Sequence, residues 1–268
     1  MPTAPGAMKN ISASMDAGEV VVGHWVASAS PVIVELIGYS GADMVAIDCE
    51  HGPLSPYGGE LDACIRAAHA SDIAPLVRLS SHDGAQVSRA ADLGAVGVIV
   101  PHVNTADELE RLLSHAQFPP VGNRGCYPAV RAARYGVTPW RDYADRTRTN
   151  FAVVPLLEEP RAFEDLDALL DVDGLRAVAI GPLDLAARLH GVGTDESARA
   201  VEELFTDLVA ACERRGISVI DGAWDFDAVR QKVRAGVRGI MYSADVNLLA
   251  GALSEQMKPI RQLLGGKP

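Results

Sequence analysis

Short apolar runs recur along the chain, with amphipathic stretches between them. The runs read Val20–Ala27, Met44–Asp48, Ala74–Arg78, Val96–Val100, Phe151–Leu157, Arg176–Ile180, Gly216–Ile220 and Val237–Met241. Several are nearly continuous in Val, Ile, Leu and Ala, the pattern of parallel strands buried on both faces. Stretches such as Ala106–His115 and Ser197–Arg215 repeat their apolar positions at the helical period. Gly94 and Gly236 stand where helix stop signals belong, just ahead of the fourth and eighth runs. Alternating strand and helix, with eight strands in about 250 residues, is the arithmetic of an α/β fold of the (β/α)8 (TIM) barrel type. A doubly wound sheet is the alternative, but no GxGxxG follows the first run. No repeat, low-complexity tract or composition shift divides the chain. Residues 1–268 therefore read as one barrel domain, with residues 1–17 as an N-terminal extension.

Composition adds limits. Hydrophobic residues make up 48% and charged residues 22%, which excludes a disordered chain. The net charge of −11 argues against nucleic acid as a partner, because phosphate binding needs a basic face. Small anions stay open, since one local Arg or a metal can hold them. No segment has the roughly 18–20 consecutive apolar residues that span a bilayer, so no membrane partner is expected. The opening residues Met1–Gly6 lack a charged region followed by an apolar stretch and do not read as a secretory signal. Cys49, Cys64, Cys126 and Cys212 are scattered without a CxxC pair, which argues against a disulfide framework or a structural zinc site. A cytoplasmic location with reduced thiols follows as the expectation.

A barrel places its active site at the C-terminal ends of its strands. After the second run comes Asp48-Cys49-Glu50-His51-Gly52-Pro53, a loop dense in acid–base groups. His51, flanked by carboxylates at a strand end, suits a general base near neutral pH, although a lone His is more often structural. Arg78 ends the third run, either as a rim salt bridge or as a fixed cation facing a carboxylate or oxyanion. The fifth run ends in Glu158-Glu159-Pro160, and the sixth in Gly181-Pro182-Leu183-Asp184. One glutamate suits the first turn of a helix and Asp184 suits an N-cap. Glu158 and Asp184 on neighbouring strand ends also make a pattern typical of a Mg²⁺ or Mn²⁺ site. The connection Gly122–Gly136 carries Arg124, Arg131, Arg134, Tyr127 and Tyr135, and reads equally as a substrate lid or a subunit contact. The other six His are dispersed, and HExxH, GxSxG and P-loop motifs are absent. No strand-end lysine offers a Schiff base. If the chemistry forms an enolate, a metal has to supply the electrophile.

Taken together, Asp48–Pro53, Pro75–Arg78, Ala91–Ala95 with Val100-Pro101, Pro119-Pro120 to Arg124-Gly125, Arg131–Gly136 and Ile180–Leu185 carry a resemblance. From about Gly18 to Leu264 the sequence resembles the metal-dependent, pyruvate-specific class II aldolases that include 4-hydroxy-2-oxoheptane-1,7-dioate aldolase and 2-dehydro-3-deoxyglucarate aldolase. The resemblance implies that His51 is the general base, that Arg78 steadies the enolate oxygen, and that Glu158 and Asp184 are the metal ligands. It assigns the pyruvate carboxylate to backbone amides at Leu183 and Asp184, next to Gly181. It assigns Asp92 to raising the basicity of the histidine, although its place ahead of the fourth strand puts it away from the barrel mouth. Asp48 matches a residue that reaches a neighbouring subunit's site. Leu156 stands where the family often has a substrate-contacting Gln, and Cys49 where some relatives have Gly, so the acceptor is left open.

The activity so implied is reversible cleavage of a 4-hydroxy-2-oxo acid into pyruvate, or a related 2-oxo acid, and an aldehyde. The cofactor is a divalent cation (Mg²⁺ or Mn²⁺, with Co²⁺ an option). The partners are these small molecules and further copies of the chain, as a homohexamer built as a trimer of dimers. Residues 245–264 would be the helix that family members exchange between subunits. Acceptor specificity is expected from the Arg124–Tyr135 connection and the neighbouring subunit. The alternatives are an acyl-CoA lyase of the malyl- or citryl-CoA type, for which no nucleotide-binding surface is evident, and a non-catalytic oligomeric binding protein on the same barrel. Oxaloacetate decarboxylation would follow as a side reaction of the same enolate.

Overall fold

The computed structural model describes residues 8–265. Eight parallel strands close into a barrel in chain order: β1 Val21–Val26, β2 Met44–Asp48, β3 Ala74–Arg78, β4 Gly97–Val100, β5 Ala152–Leu157, β6 Ala177–Ile180, β7 Ser218–Ala223 and β8 Gly239–Ala244. β8 pairs with β1 to complete the ring. The (β/α)8 expectation holds, and the doubly wound alternative falls with the closure.

Side chains alternate in direction along each strand, and both sides find a core. Met44, Ala46, Ala74, Leu76, Ile99, Val154, Leu156, Ile220 and Met241 point inward and fill the barrel. Val45, Ile47, Val77, Val98, Val153, Val178 and Val219 point outward, under the helices. That two-sided burial is why the runs are nearly all apolar. Local signals set the helix limits. Helix Ala106–Ala116 opens on a capping box between Thr105 and Glu108. Helix Asp195–Arg215 opens on Thr194 and stops at Gly216, whose φ of 67° suits glycine.

Three features depart from the expected elements. β7 and β8 begin and end two to three residues later than the apolar runs suggested. Asp221, past the run, stays in β7 because it faces outward and is bonded by Lys232 of helix Phe226–Ala235. Residues 1–7 lie outside the described residues, but the rest of the expected extension is built in. Helix Ile11–Asp16 sends Ile11 and Met15 into the barrel's inner core and plugs its base. Finally, the Arg124–Tyr135 connection runs at that same base. Arg131 donates to the Leu93 carbonyl at 2.8 Å and Arg124 to Asp92 Oδ1 at 2.5 Å, both at the end of the helix leading into β4. A connection that follows a helix and precedes a strand has to lie there, so it does not cover the mouth of its own barrel. Among the described residues no helix is long and apolar enough to cross a membrane.

Candidate active site

The carboxyl ends of β2, β3, β5 and β6 gather most of the expected residues at one mouth. Asp48, the last residue of β2, is buried and takes a two-pronged ion pair from Arg78, with Nε at 2.9 Å from Oδ1 and Nη2 at 2.6 Å from Oδ2. The paired strands bring the two together, since Asp48 and Arg78 are partners in the β2–β3 register. Asp48 Oδ1 also accepts from the Glu50 and His51 amides at 2.9 and 3.2 Å, which shapes the loop after β2. Burial pushes the Asp48 carboxyl up, but the Arg78 guanidinium and these amides outweigh it and hold the group below the usual carboxylate range. Arg78 is fixed on its other face by the Trp25 ring, 4.5 Å away. Its Nη1 lies 3.4 Å from Glu50 Oε2.

Glu158 follows β5 and is only 3% exposed. Its two oxygens face different ways. Oε1 accepts from the His102 backbone amide at 2.8 Å. Oε2 faces Gly181 at the end of β6, so closely that a Cβ at Gly181 would stand 2.7 Å from it. Burial pushes the Glu158 carboxyl above its ordinary range; the His102 amide and ring work against this, while the Glu50 and Asp184 charges add to it. Asp184 itself is exposed in the first turn of helix Pro182–Leu189, next to exposed Leu183. That turn has no side-chain cap, so its first amides are free to meet an anion. Leu156 lies in the inner core one layer below Glu158. His51 stands on the rim, its side chain 67% exposed and its Nε2 3.9 Å from Glu50 Oε2.

Two observations stand apart from the expected set. Asp92 is engaged by Arg124 at the barrel base, far from the loop that carries His51, as its position in sequence implied. His102, dispersed by sequence, arrives at the centre of the site. It sits just past β4 with φ at 57°, a backbone region costly for a residue with a Cβ. Its Nδ1 is 3.0 Å from Glu158 Oε1 and 3.1 Å from Glu159 Oε1, and its Nε2 is 3.7 Å from Glu50 Oε1. The signal for it was present: a His two residues beyond a predicted strand end.

The donor set fits a divalent cation. Glu50, His102 and Glu158 each offer a ligand atom, all within 4.8 Å of one another. His102 Nδ1 and Glu50 Oε2 are buried without a hydrogen-bond partner among the described residues. Neighbouring ligands on a metal with bonds of about 2.1 Å sit about 3 Å apart, the spacing found between His102 Nδ1 and Glu158 Oε1. Carboxylate oxygens with one imidazole suit Mn²⁺ or Co²⁺ as well as Mg²⁺.

The sequence matches the HpcH/HpaI aldolase/citrate lyase family over residues 22–252. The chain belongs to that family. Both activities in the family's name break carbon–carbon bonds, and this HpcH/HpaI family member is a carbon–carbon lyase of the aldolase type. It is 30% identical over 245 residues to the hydroxypyruvate/pyruvate aldolase of Paraburkholderia phytofirmans, a span of 89% of this chain and 92% of that one. It is 31% identical over 247 residues to the 2-keto-3-deoxy-L-rhamnonate aldolase of Klebsiella pneumoniae, covering 90% and 88%. The structure of an HpcH/HpaI aldolase/citrate lyase family protein from Burkholderia cenocepacia superposes with a TM-score of 0.86 at 30% identity, covering 94% of this chain and 98% of that one.

Proposed function

We propose that this HpcH/HpaI family member cleaves 4-hydroxy-2-oxo acids to pyruvate, or hydroxypyruvate, and an aldehyde, and runs the reverse addition. The observation that carries the reading is the buried Glu158, one oxygen tied to His102 and the other turned toward the end of β6, at a mouth that also holds Arg78. Glu158 and Asp184 would hold the cation, with Glu50 and His102 as further donors beside Glu158. Bound there, Mg²⁺ or Mn²⁺ would act as a Lewis acid toward the 2-oxo acid's carboxylate and ketone oxygens.

The protein's own groups do the rest. The amides of Leu183 and Asp184 receive the substrate carboxylate, with Gly181 leaving them room. Arg78, locked by Asp48 and Trp25, keeps its charge aimed at the oxygen that becomes anionic, a role that needs a donor fixed in advance. His51, working through water from the exposed loop, takes the C4 hydroxyl proton as the C3–C4 bond breaks. In the reverse direction it takes a proton from the pyruvate methyl. Leu156 gives the floor of the site an apolar surface. Asp92 serves the His51 reaction only from another copy of the chain, since its own barrel keeps the two apart. An assembly of several copies is supported by the apolar stripe Leu249, Leu253, Met257 and Ile260, which stays exposed on the last helix. A cytoplasmic setting is supported by Cys49, Cys64 and Cys212, buried and unpaired.

The test is exchange of the pyruvate methyl protons in deuterated water, followed by NMR with Mg²⁺ or Mn²⁺ present. Exchange is expected in the wild type, with loss on chelation and at least a hundredfold slowing in His51→Ala. Wild-type exchange in His51→Ala would remove His51 as the base. Neither exchange nor cleavage of any hydroxy-oxo acid by the metal-loaded wild type would remove the aldolase reading.

A further inference from the structure

A cavity of about 550 Å³ opens at the other end of the barrel, beneath the residues that lead into β4 and β5. Its wall carries Arg66, Arg124, Arg131, Arg134 and Arg146 and, among the described residues, no aspartate or glutamate. In a chain of net charge −11, five guanidinium groups around one hollow are not the general surface. Two of them are answered from outside it: Arg66 by Asp62 and Arg124 by Asp92.

Among the described residues the other charges are unanswered, and Arg124 is answered only in part. Arg124 is 1% exposed, and its Nη2 donates to Asp92 and to Tyr143 Oη, yet its Nε and Nη1 are buried with no acceptor among the described residues. Buried donors of that kind cost free energy until an acceptor arrives. Among the described residues Arg131 has only neutral acceptors, the Leu93 carbonyl at 2.8 Å and His69 Nδ1 at 3.1 Å. His69 Nε2 donates to the Gly94 carbonyl at 2.9 Å, which leaves Nδ1 as a lone pair and the ring uncharged. Burial, and then the Arg66 charge, push the Arg131 guanidinium down. Arg146 bonds only the Ala132 carbonyl among the described residues. Arg134 and Tyr135 follow with φ of 51° and 56°, two non-glycine residues in succession held in the left-handed region. Strain of that sort persists where the surroundings impose it, and it clusters at ligand sites.

We propose that this cavity binds a small dianion bearing carboxylate or phosphate groups, at a site separate from the catalytic mouth. Arg131 and Arg124 would present planar donor pairs to its oxygens, with Arg146 and Arg134 at the entrance. The volume is that of a small-molecule site, within the usual range of about 300–1,000 Å³. The inference does not depend on the aldolase reading, because none of these residues belongs to the mouth of its own barrel.

Calorimetric titration of the full chain with inorganic phosphate in one arm, and with malonate and succinate in the other, tests it in chelator at low salt. One site per chain is expected in at least one arm, weakening as salt rises. Affinity should fall about tenfold or more in Arg131→Gln and in Arg146→Gln, and stay unchanged in Arg78→Ala. Arg146 is exposed, so its variant keeps the test if Arg131→Gln fails to fold. The arm that saturates names the anion class. No saturable binding in either arm overturns the proposal. So does binding lost in Arg78→Ala but kept in both arginine variants, which would put the anion at the mouth. A change of assembly mass in Arg131→Gln without anion binding would assign these cations to carboxylates of a second copy, and the proposal would fail.

Discussion

Asp48 does several jobs with one carboxylate: it orients Arg78 and holds the amides of the loop that carries His51. Asp48→Asn keeps the shape but leaves a largely buried guanidinium without its counter-charge, a loss of about 3 kcal/mol at neutral pH. Because the folded-state carboxyl titrates below its ordinary value, this contribution is present above about pH 4 and vanishes as pH falls through the folded value. Urea unfolding of wild type and Asp48→Asn should therefore differ widely at pH 7 and converge in strong acid. Glu158 has the opposite sign. Its carboxyl titrates high, so in the metal-free protein its contribution is favourable only at acid pH and is lost as pH rises through that raised value. Glu158→Gln should accordingly melt higher than wild type at neutral pH in chelator, and should not share the stabilisation expected of the wild type on adding Mn²⁺. A lower melting point in chelator would contradict the cost assigned to the buried charge. The placement of Asp48, Arg78, Glu158 and Asp184 was legible in the sequence because the first two end apolar runs, the other two follow them within four residues, and a barrel turns such ends to one mouth. His102 obeys the same rule and was hidden only by being judged as one of seven scattered histidines. Trp25, inside an apolar run, gave no sign that its ring would back Arg78.

At the scale of elements, the site depends on how closely β5 and β6 meet beyond their last pairing, Leu157 with Ile180. Gly181 matters there for lack of a side chain, since its φ of −106° is open to any residue. In Gly181→Ala the new methyl would press on Glu158 Cβ and Oε2, each 2.7 Å from the ideal Cβ, and turn the carboxylate away. Metal affinity is expected to fall 10–100-fold, the usual scale for disturbing a ligand's support, with little loss of stability. Titration with Mn²⁺ followed by its paramagnetic signal measures this, and an unchanged affinity would mean Oε2 is not a ligand. The strands were readable because burial on both faces writes them as unbroken apolar runs. The reading fell short at β7 and β8, where Asp221 and Ser243 carry the strand past the apolar stretch. An ion pair to the next helix, invisible in a linear pattern, lets β7 keep a charged residue. Helix Ile11–Asp16 was missed for a different reason: six residues are too few to show a period.

For the whole molecule, the last helix, Asp245–Leu263, is the element least accounted for within one chain. Every residue of it after Asp245 is exposed, including Leu249, Leu253, Met257 and Ile260 on one stripe. Leu253 is 54% exposed, so Leu253→Arg is expected to lower the molar mass measured by light scattering while the barrel's melting point changes little. An unchanged mass would remove this stripe from any assembly. The plug formed by Ile11 and Met15 has a consequence for kinetics. With the base stopped and the interior filled by side chains, the catalytic site opens, among the described residues, through the mouth alone, and whatever enters there must also leave there. In the proposed reaction the fragment held at Glu158 and the first turn of helix Pro182–Leu189 would sit behind the other. Release is then sequential, aldehyde first and 2-oxo acid last, so added pyruvate should compete with the hydroxy-oxo acid in steady-state cleavage while added aldehyde should inhibit without competing.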